Sequence, residues 1–337
     1  MAERKGRLKT ENSTGRPGPG ESAALFFICL VFYGAFAVID GPRLFPDSQS
    51  YISMGITREP LYPLFLALLR RFADAVGWQA APFSSAPAPY LFLAAFLQSI
   101  LAAYAAYLLG RRMAERMHER VSSRVMLYLA PATLFCVALL NRFAAGRGAA
   151  YHVSILTEGI SFSLFVLFVL RCDRFFEAAG RAGKSDVAAR RRFVMQAFLV
   201  WLDLFLLLSL RKQLAVCAVT LCAAAFVIAA TFALPKSMQR SGSARNCRGR
   251  GAAGLRIFLA AVCVSALALV SSTGLDLIYN RVLRGSFMQR TGNSEGMCCT
   301  LLYTARESDA ELFADPSERA LFEKVYAEAY AKGSLYE

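Results

Sequence analysis

In the stretch "FPDSQSYISMGITREPLYPLFLALLRRF", residues 45–72, an acid at Asp47 is followed four residues later by Tyr51. On a helix that spacing puts a carboxylate and a phenol on one face. "DSQSY" also has the pattern of an ordinary helix start, in which Asp47 caps the first turn. What sets it apart is the uncharged run before it, 22–39, which is long enough to cross a bilayer and leaves Asp47 just outside. An acid and a tyrosine placed there can meet a lipid headgroup. Glu158, beside Thr157, falls about one turn inside a later apolar run, where an acid is costly and as a rule faces a cavity or a cation. Arg211 and Lys212 occupy a tight turn between two apolar runs, a place where ordinary snorkelling to the interface accounts for basic residues. Asp203, two turns earlier in the same run, is another buried acid that either lines a cleft or pairs with a base. The chain's two histidines, His118 and His152, are too few for a zinc site.

The composition says which scaffold must hold these residues. The 337 residues are 56% apolar and only 18% charged, with a mean hydropathy of +0.41, which is too apolar for a soluble domain. An all-α polytopic membrane protein is the expected class. The formal charge of +14 would suggest nucleic acid in a soluble protein, but here the basic residues cluster between apolar runs, where membrane topology explains them. Of nine cysteines, Cys29, Cys136, Cys217, Cys222 and Cys263 fall in apolar runs and Cys172 and Cys247 in basic loops, so neither a disulfide framework nor a zinc spacing emerges. The adjacent Cys298 and Cys299 could form only a strained bridge. "GRAGKS" at 180–185 lacks the first glycine of a phosphate loop, Ala178 standing in its place, and reads as a basic loop.

Spanning helices are expected at 22–39, 89–109, 125–140, 153–170, 193–210, 214–233 and 257–272, about seven in all. The apolar stretch 61–69 stops at Arg70-Arg71 and reads as an interfacial helix, 60–75, rather than a span. Charge bias supports this choice. The loops 111–124, 171–192 and 235–256 hold five, seven and six lysines and arginines, against two each in 141–152 and 211–213. Making 61–69 a span would reverse that bias. The N-terminus is then cytoplasmic, in a multi-pass protein of the cell membrane. Three parts follow: a basic tail at 1–21, a transmembrane domain at 22–272 with an outer loop at 40–60, and an extracytoplasmic segment at 273–337. In the last, "DPSE" from Asp315 predicts a capped helix to about Gly333, with Leu321, Phe322 and Val325 packed on the outer domain. "RSGSARNCRGRGAAG" reads as a flexible loop.

The order of motifs resembles the GT-C glycosyltransferases that use polyprenyl-phosphate sugars. It runs from an N-terminal span through "PDSQSY" and "REPLYPLFLALL" to a span with an early glutamine, Gln98, and then to "SILTEG" and "LSLRKQL". The likeness covers about residues 22–233 and is greatest to bacterial family 39 proteins, relatives of the protein O-mannosyltransferases. The resemblance implies a GT-C-like helix bundle with short extracytoplasmic interfacial helices. It implies inverting transfer of a hexosyl or pentosyl unit from a polyprenyl-phosphate sugar donor to an extracytoplasmic acceptor, which is a glycan, lipid or protein. An outward carboxylate takes the acceptor's proton as the oxygen attacks the anomeric carbon and the lipid phosphate leaves. By position Asp47 matches that base; Asp40 is the competing acid. Glu158 would help hold a metal, the acceptor or a basic partner. Tyr51 would line the cleft, and Arg58, Glu59 and Tyr62 would border the sugar. Arg211, matching the arginine of the family's "LTRP"-like turn, would bind the donor phosphate together with Lys212, although Lys212 stands where the family often has proline. A divalent cation such as Mg or Mn would be a hard ion held by carboxylates and phosphate. Family members carry further spans and an outer C-terminal portion, so the resemblance also implies a chain truncated at its C-terminus. Two other readings stay open: a transporter or lipid flippase, and a non-catalytic scaffold that keeps the fold.

Overall fold

The computed structural model describes residues 18–55, 57–78, 88–117, 121–145, 148–181, 187–233, 245–288 and 301–333. Among them the regular elements are helices: α1 (Pro19–Ile39), α2 (Ser48–Ile52), α3 (Leu61–Ala75), α4 (Pro89–Met117), α5 (Ser123–Phe143), α6 (Glu158–Arg181), α7 (Val187–Leu210), α8 (Val216–Ala233), α9 (Arg245–Arg284) and α10 (Pro316–Ala331). Short 3-10 helices occupy Tyr151–Val153, Lys212–Ala215 and Glu307–Leu312, and Arg43 forms an isolated parallel bridge with Ser154. The architecture is that of an all-α polytopic membrane protein. Among the described residues, six helical stretches are long and apolar enough to cross a bilayer: α1, α4, α5, α7, α8 with the turn before it, and α9 from Ala252.

The expected seventh span differs. Its helix, α6, starts at Glu158 rather than 153, and Arg171, Asp173 and Arg174 leave 159–170 as its charge-free stretch, shorter than the roughly 20 residues a span needs. It nevertheless lies alongside α4 from one end of the bundle to the other. Gln98 of α4 meets the residues that lead into α6, and Arg112, near the far end of α4, bonds Asp173 and Glu177 of α6. Other helices overrun their expected limits: α7 begins at Val187 instead of 193 and α9 runs past 272 to Arg284. The glycine- and arginine-rich stretch expected as a loop enters α9 at Arg245, since isolated glycines cost a helix only about 1 kcal/mol each.

Small residues let α4 occupy the centre, packed on α1, α3, α5 and α6. It buries Ala94, Ala95, Ala102, Ala103, Ala105, Ala106, Gly110 and Ala114. Without a hydrophobic drive between helices in lipid, such close backbone approach supplies the packing. Gly110 is required there: a Cβ would lie 2.8 Å from Pro131 Cγ and collide with the Leu127 carbonyl. Pro131 has no N–H for that carbonyl, so the free oxygen of α5 turns to the neighbouring helix.

Helix α3 forms over the stretch expected as a helix at 60–75 and packs one face on the bundle. Tyr62, Leu66, Leu69 and Ala73 are buried while Leu64, Leu68 and Phe72 are exposed. In the C-terminal segment α10 forms where "DPSE" predicts it, with Asp315 accepting from the Ser317 N–H at 2.8 Å. The expected docking of its apolar face is not observed. Leu321 and Val325 are 63% and 40% exposed, and Phe322 instead stacks between Phe313 and Tyr326. Local ring stacking suffices for aromatic side chains spaced four apart, whereas the aliphatic ones gain no partner from it. The motif at 180–185 and Cys298 and Cys299 lie wholly or largely outside the described residues, as does His118.

Candidate functional site

At one end of the bundle the chain leaves α1, forms the bridge at Arg43 and turns into α2. Asp47 occupies the N-cap position of α2, but its side chain makes no capping bond. Ser48 supplies the local bond instead, its Oγ accepting from Phe45 N at 2.8 Å. The Asp47 carboxylate, 66% exposed, faces Arg58 at 2.7 Å. Arg58 also donates to Ser50 Oγ at 2.6 Å and lies over the Tyr51 ring, 4.6 Å from its centroid. Helix α2 and its turn thus present the acid to the cleft side and clamp it with one guanidinium. The turn itself is tight: Met54 adopts φ 56°, and Arg284 from the end of α9 donates to its carbonyl at 2.7 Å.

Tyr51 packs edge-on to Tyr62, and Tyr62 donates to Gln98 Oε1 at 2.9 Å. Burial pushes the Tyr62 hydroxyl's pKa well above its ordinary value. Gln98 Nε2 then donates to the carbonyls of His152 and Ser154 at 2.9 and 3.1 Å. Gly159 makes room for this amide, since a Cβ there would lie 2.6 Å from Gln98 Nε2. The chain from α2 through α3 and α4 is therefore fastened to the start of α6.

Glu158 is the first residue of α6, not one turn inside it, and a carboxylate there is favoured by the helix dipole. It pairs with Arg211 at 2.7 Å, both about one-third exposed. Arg211 is the single extended residue that separates α7 from the following 3-10 turn. Asp47, Tyr51, Glu158 and Arg211 line one cleft of about 580 Å³, together with Arg43, Leu44, Phe45, Pro46 and Leu156.

Three expected site residues stand elsewhere. Lys212 extends its ammonium away to Asp276 at 2.9 Å and Ser272 at 2.6 Å on α9, and its backbone N–H donates to Glu59 at 3.0 Å. Tyr62 is fully buried behind the cleft wall, with its hydroxyl on Gln98. Arg58 reaches the site through Asp47 and is not on the lining. Asp40, the competing acid, is held in a bidentate pair by Arg142 with its side chain 4% exposed, so it is closed to a ligand. Asp203 pairs with Arg171 at 2.6 Å inside the bundle, the second of the roles expected for it. Arg43 was absent from the sequence-based set. It lines the cleft, is exposed, and has no side-chain partner among the described residues. A cation four positions before Asp47 on the same loop was its only signal.

His152 is fully buried between the rings of Tyr33, Phe36 and Tyr151, and neither ring nitrogen has a hydrogen-bond partner. Burial lowers its pKa to about 4, which keeps it neutral. It supports the wall and offers no proton to the cleft. Nor does the cleft suit a divalent cation. Its two carboxylates already hold Arg58 and Arg211, and Arg43 adds a third guanidinium, so the balance favours an anion. Among the described residues no three His, Cys, Asp or Glu side chains gather as a metal site.

Compared with family models, with curated proteins and with solved structures, the chain matches none.

Proposed function

We propose that the chain is a membrane glycosyltransferase that moves a sugar from a polyprenyl-phosphate carrier to an acceptor hydroxyl on the outer side of the cell membrane, with inversion. The observation that supports it most is the shared cleft. One exposed carboxylate, Asp47, and two guanidiniums, Arg43 and Arg211, line the same space at the bundle end where α3 lays its apolar face outward. An isoprenoid donor needs such a combination: lipid contact for its chain, cations for its phosphate and a base for its acceptor.

In this reading the donor phosphate lies against Arg43 and Arg211. The acceptor O–H gives its proton to Asp47 while its oxygen bonds to the anomeric carbon. The bond from that carbon to the phosphate oxygen breaks, the phosphate keeps the electron pair, and the guanidiniums offset the charge that develops. Arg58 must yield the Asp47 carboxylate for this step. The Asp47 carboxylate is 66% exposed, so an acceptor can reach it from its open side, while Arg58, 22% exposed, keeps its contacts with Ser50 and the Tyr51 ring. Glu158 holds Arg211 in place until the phosphate competes for it. The orientation, with the N-terminus in the cytoplasm, rests on the loop charge bias.

A transporter reading has one feature in its favour, the Arg171–Asp203 pair between α6 and α7. That pair lines none of the described clefts, which favours the enzyme. Transfer from a radiolabelled polyprenyl-phosphate sugar in membranes tests the proposal. Asp47→Asn is expected to lower the rate about 10²–10⁴-fold with normal expression and little change in donor KM. Unchanged transfer in the variant removes Asp47 from the chemistry.

A further inference from the structure

The opposite end of the bundle carries a second cleft, of about 550 Å³, between α4, α6 and α7. Arg112, Arg174, Arg181 and Arg192 line it against Glu115 and Glu177, so its lining is net cationic. The arginines are not equivalent. Arg112 bonds Asp173 and Glu177, and Arg181 bonds Glu177. Arg174 and Arg192 are exposed and have no acid partner among the described residues. Gln196 also lines the cleft, and its buried side-chain oxygen has no hydrogen-bond partner. Next to it on α7, Val194, Met195 and Phe198 are 58%, 53% and 53% exposed, an apolar surface adjoining the charged one.

We infer that this cleft binds the headgroup of an anionic phospholipid that carries a free hydroxyl, of the phosphatidylglycerol type. Arginines at helix ends ordinarily point into water one by one. Here they converge on a concavity whose acids are already committed to two of them, which leaves two guanidiniums for a phosphate diester. The unpartnered Gln196 oxygen needs a donor, and a headgroup hydroxyl provides one. The apolar strip on α7 takes the acyl chains, which a soluble phosphate compound lacks. A zwitterionic choline lipid would bring a further positive charge to a lining that is already net cationic.

The test uses the full chain, purified in detergent and presented with equal amounts of phosphatidylglycerol and phosphatidylcholine, with retained lipid counted by native mass spectrometry. Wild type is expected to retain phosphatidylglycerol preferentially. Arg174→Gln with Arg192→Gln is expected to lower that retention about thirtyfold, the change that two arginine contacts of usual strength produce. Replacing both by lysine keeps most of it. Arg124→Gln, at the same end but outside the cleft, leaves it unchanged. Wild type should also retain phosphatidylglycerol over phosphatidylmethanol, an anionic diester with no headgroup hydroxyl, and Gln196→Leu should erase that preference. Equal retention of the two lipids by wild type, or equal loss in the Arg124 control and the double variant, overturns the inference. So does displacement of the lipid by millimolar inorganic phosphate, which would assign the cleft to a soluble phosphate compound.

Discussion

The two ends of the bundle are both rich in arginine and use it differently. At the Asp47 end, acids and bases meet in separate pairs across distant segments, Asp47 with Arg58, Glu158 with Arg211 and Asp40 with Arg142, while Lys212 reaches both Asp276 and Ser272. At the Arg112 end the pairs share partners, with Arg112 and Arg116 both on Asp173 and Glu177 and Arg181 also on Glu177. A shared network holds α4 to α6 through several contacts, and losing one leaves others. A one-to-one pair can open by itself, which a site that must release a carboxylate to a substrate requires. The burial of the pairs divides the Asp47 end again: Asp40 and Asp276 are nearly inaccessible, whereas Asp47 and Glu158 face the cleft.

Each side of this comparison can be broken. The largest effect should come from a buried one-to-one pair. Arg142→Ala removes the bidentate partner of the enclosed Asp40, and is expected to lower the midpoint of thermal or denaturant unfolding more than any other variant here. Arg211→Gln should raise donor KM about tenfold or more in the transfer assay, since it removes a charge-assisted phosphate contact. Lys212→Gln should leave donor KM unchanged and instead lower stability, because its ammonium belongs to α9. If the two exchanged behaviour, the assignment of cleft and support would be reversed. His152 sharpens the account through pH. Its folded pKa, about 4, lies below the unfolded value near 6.5, so the unfolded chain takes up the proton first as pH falls. Stability is at its full value with respect to this group above about pH 6.5, and below that it should decline by about 1.4 kcal/mol per pH unit until about pH 4. In His152→Phe that part of the decline should vanish. The smallest effect belongs to the shared network, where Arg116→Ala, half-exposed, should cost under about 1 kcal/mol.

Much of this fold was legible because charge-free runs of bilayer length have few alternatives in a chain of this hydropathy. The extent of α3 was readable from the apolar run that follows Pro60, and the start of α10 from Asp315-Pro316. Helix α6 does not stand out by length and composition because its charge-free run is short; packing on α4 at both ends positions it, and no window of sequence shows that. The acids and arginines of the cleft were readable as residue types. Their partners were not, since Asp40 finds Arg142 and Glu158 finds Arg211 across 102 and 53 positions of chain. Lys212 was taken with its neighbour for the same reason: adjacent residues in an extended turn point apart, one to the cleft and one to α9. The packing of α10 was unreadable because an amphipathic helix names a face and not its cover.

The most direct test is to photolabel the membrane-embedded chain with a photoactivatable polyprenyl-phosphate sugar and to map the labelled peptides. The cleft between Asp47 and Arg211 predicts label on the peptides holding 43–47 and 156–158 and on the one holding 211, removed by excess unlabelled donor. Label confined to peptides within 112–117 and 174–196, at the other end of the bundle, would contradict it.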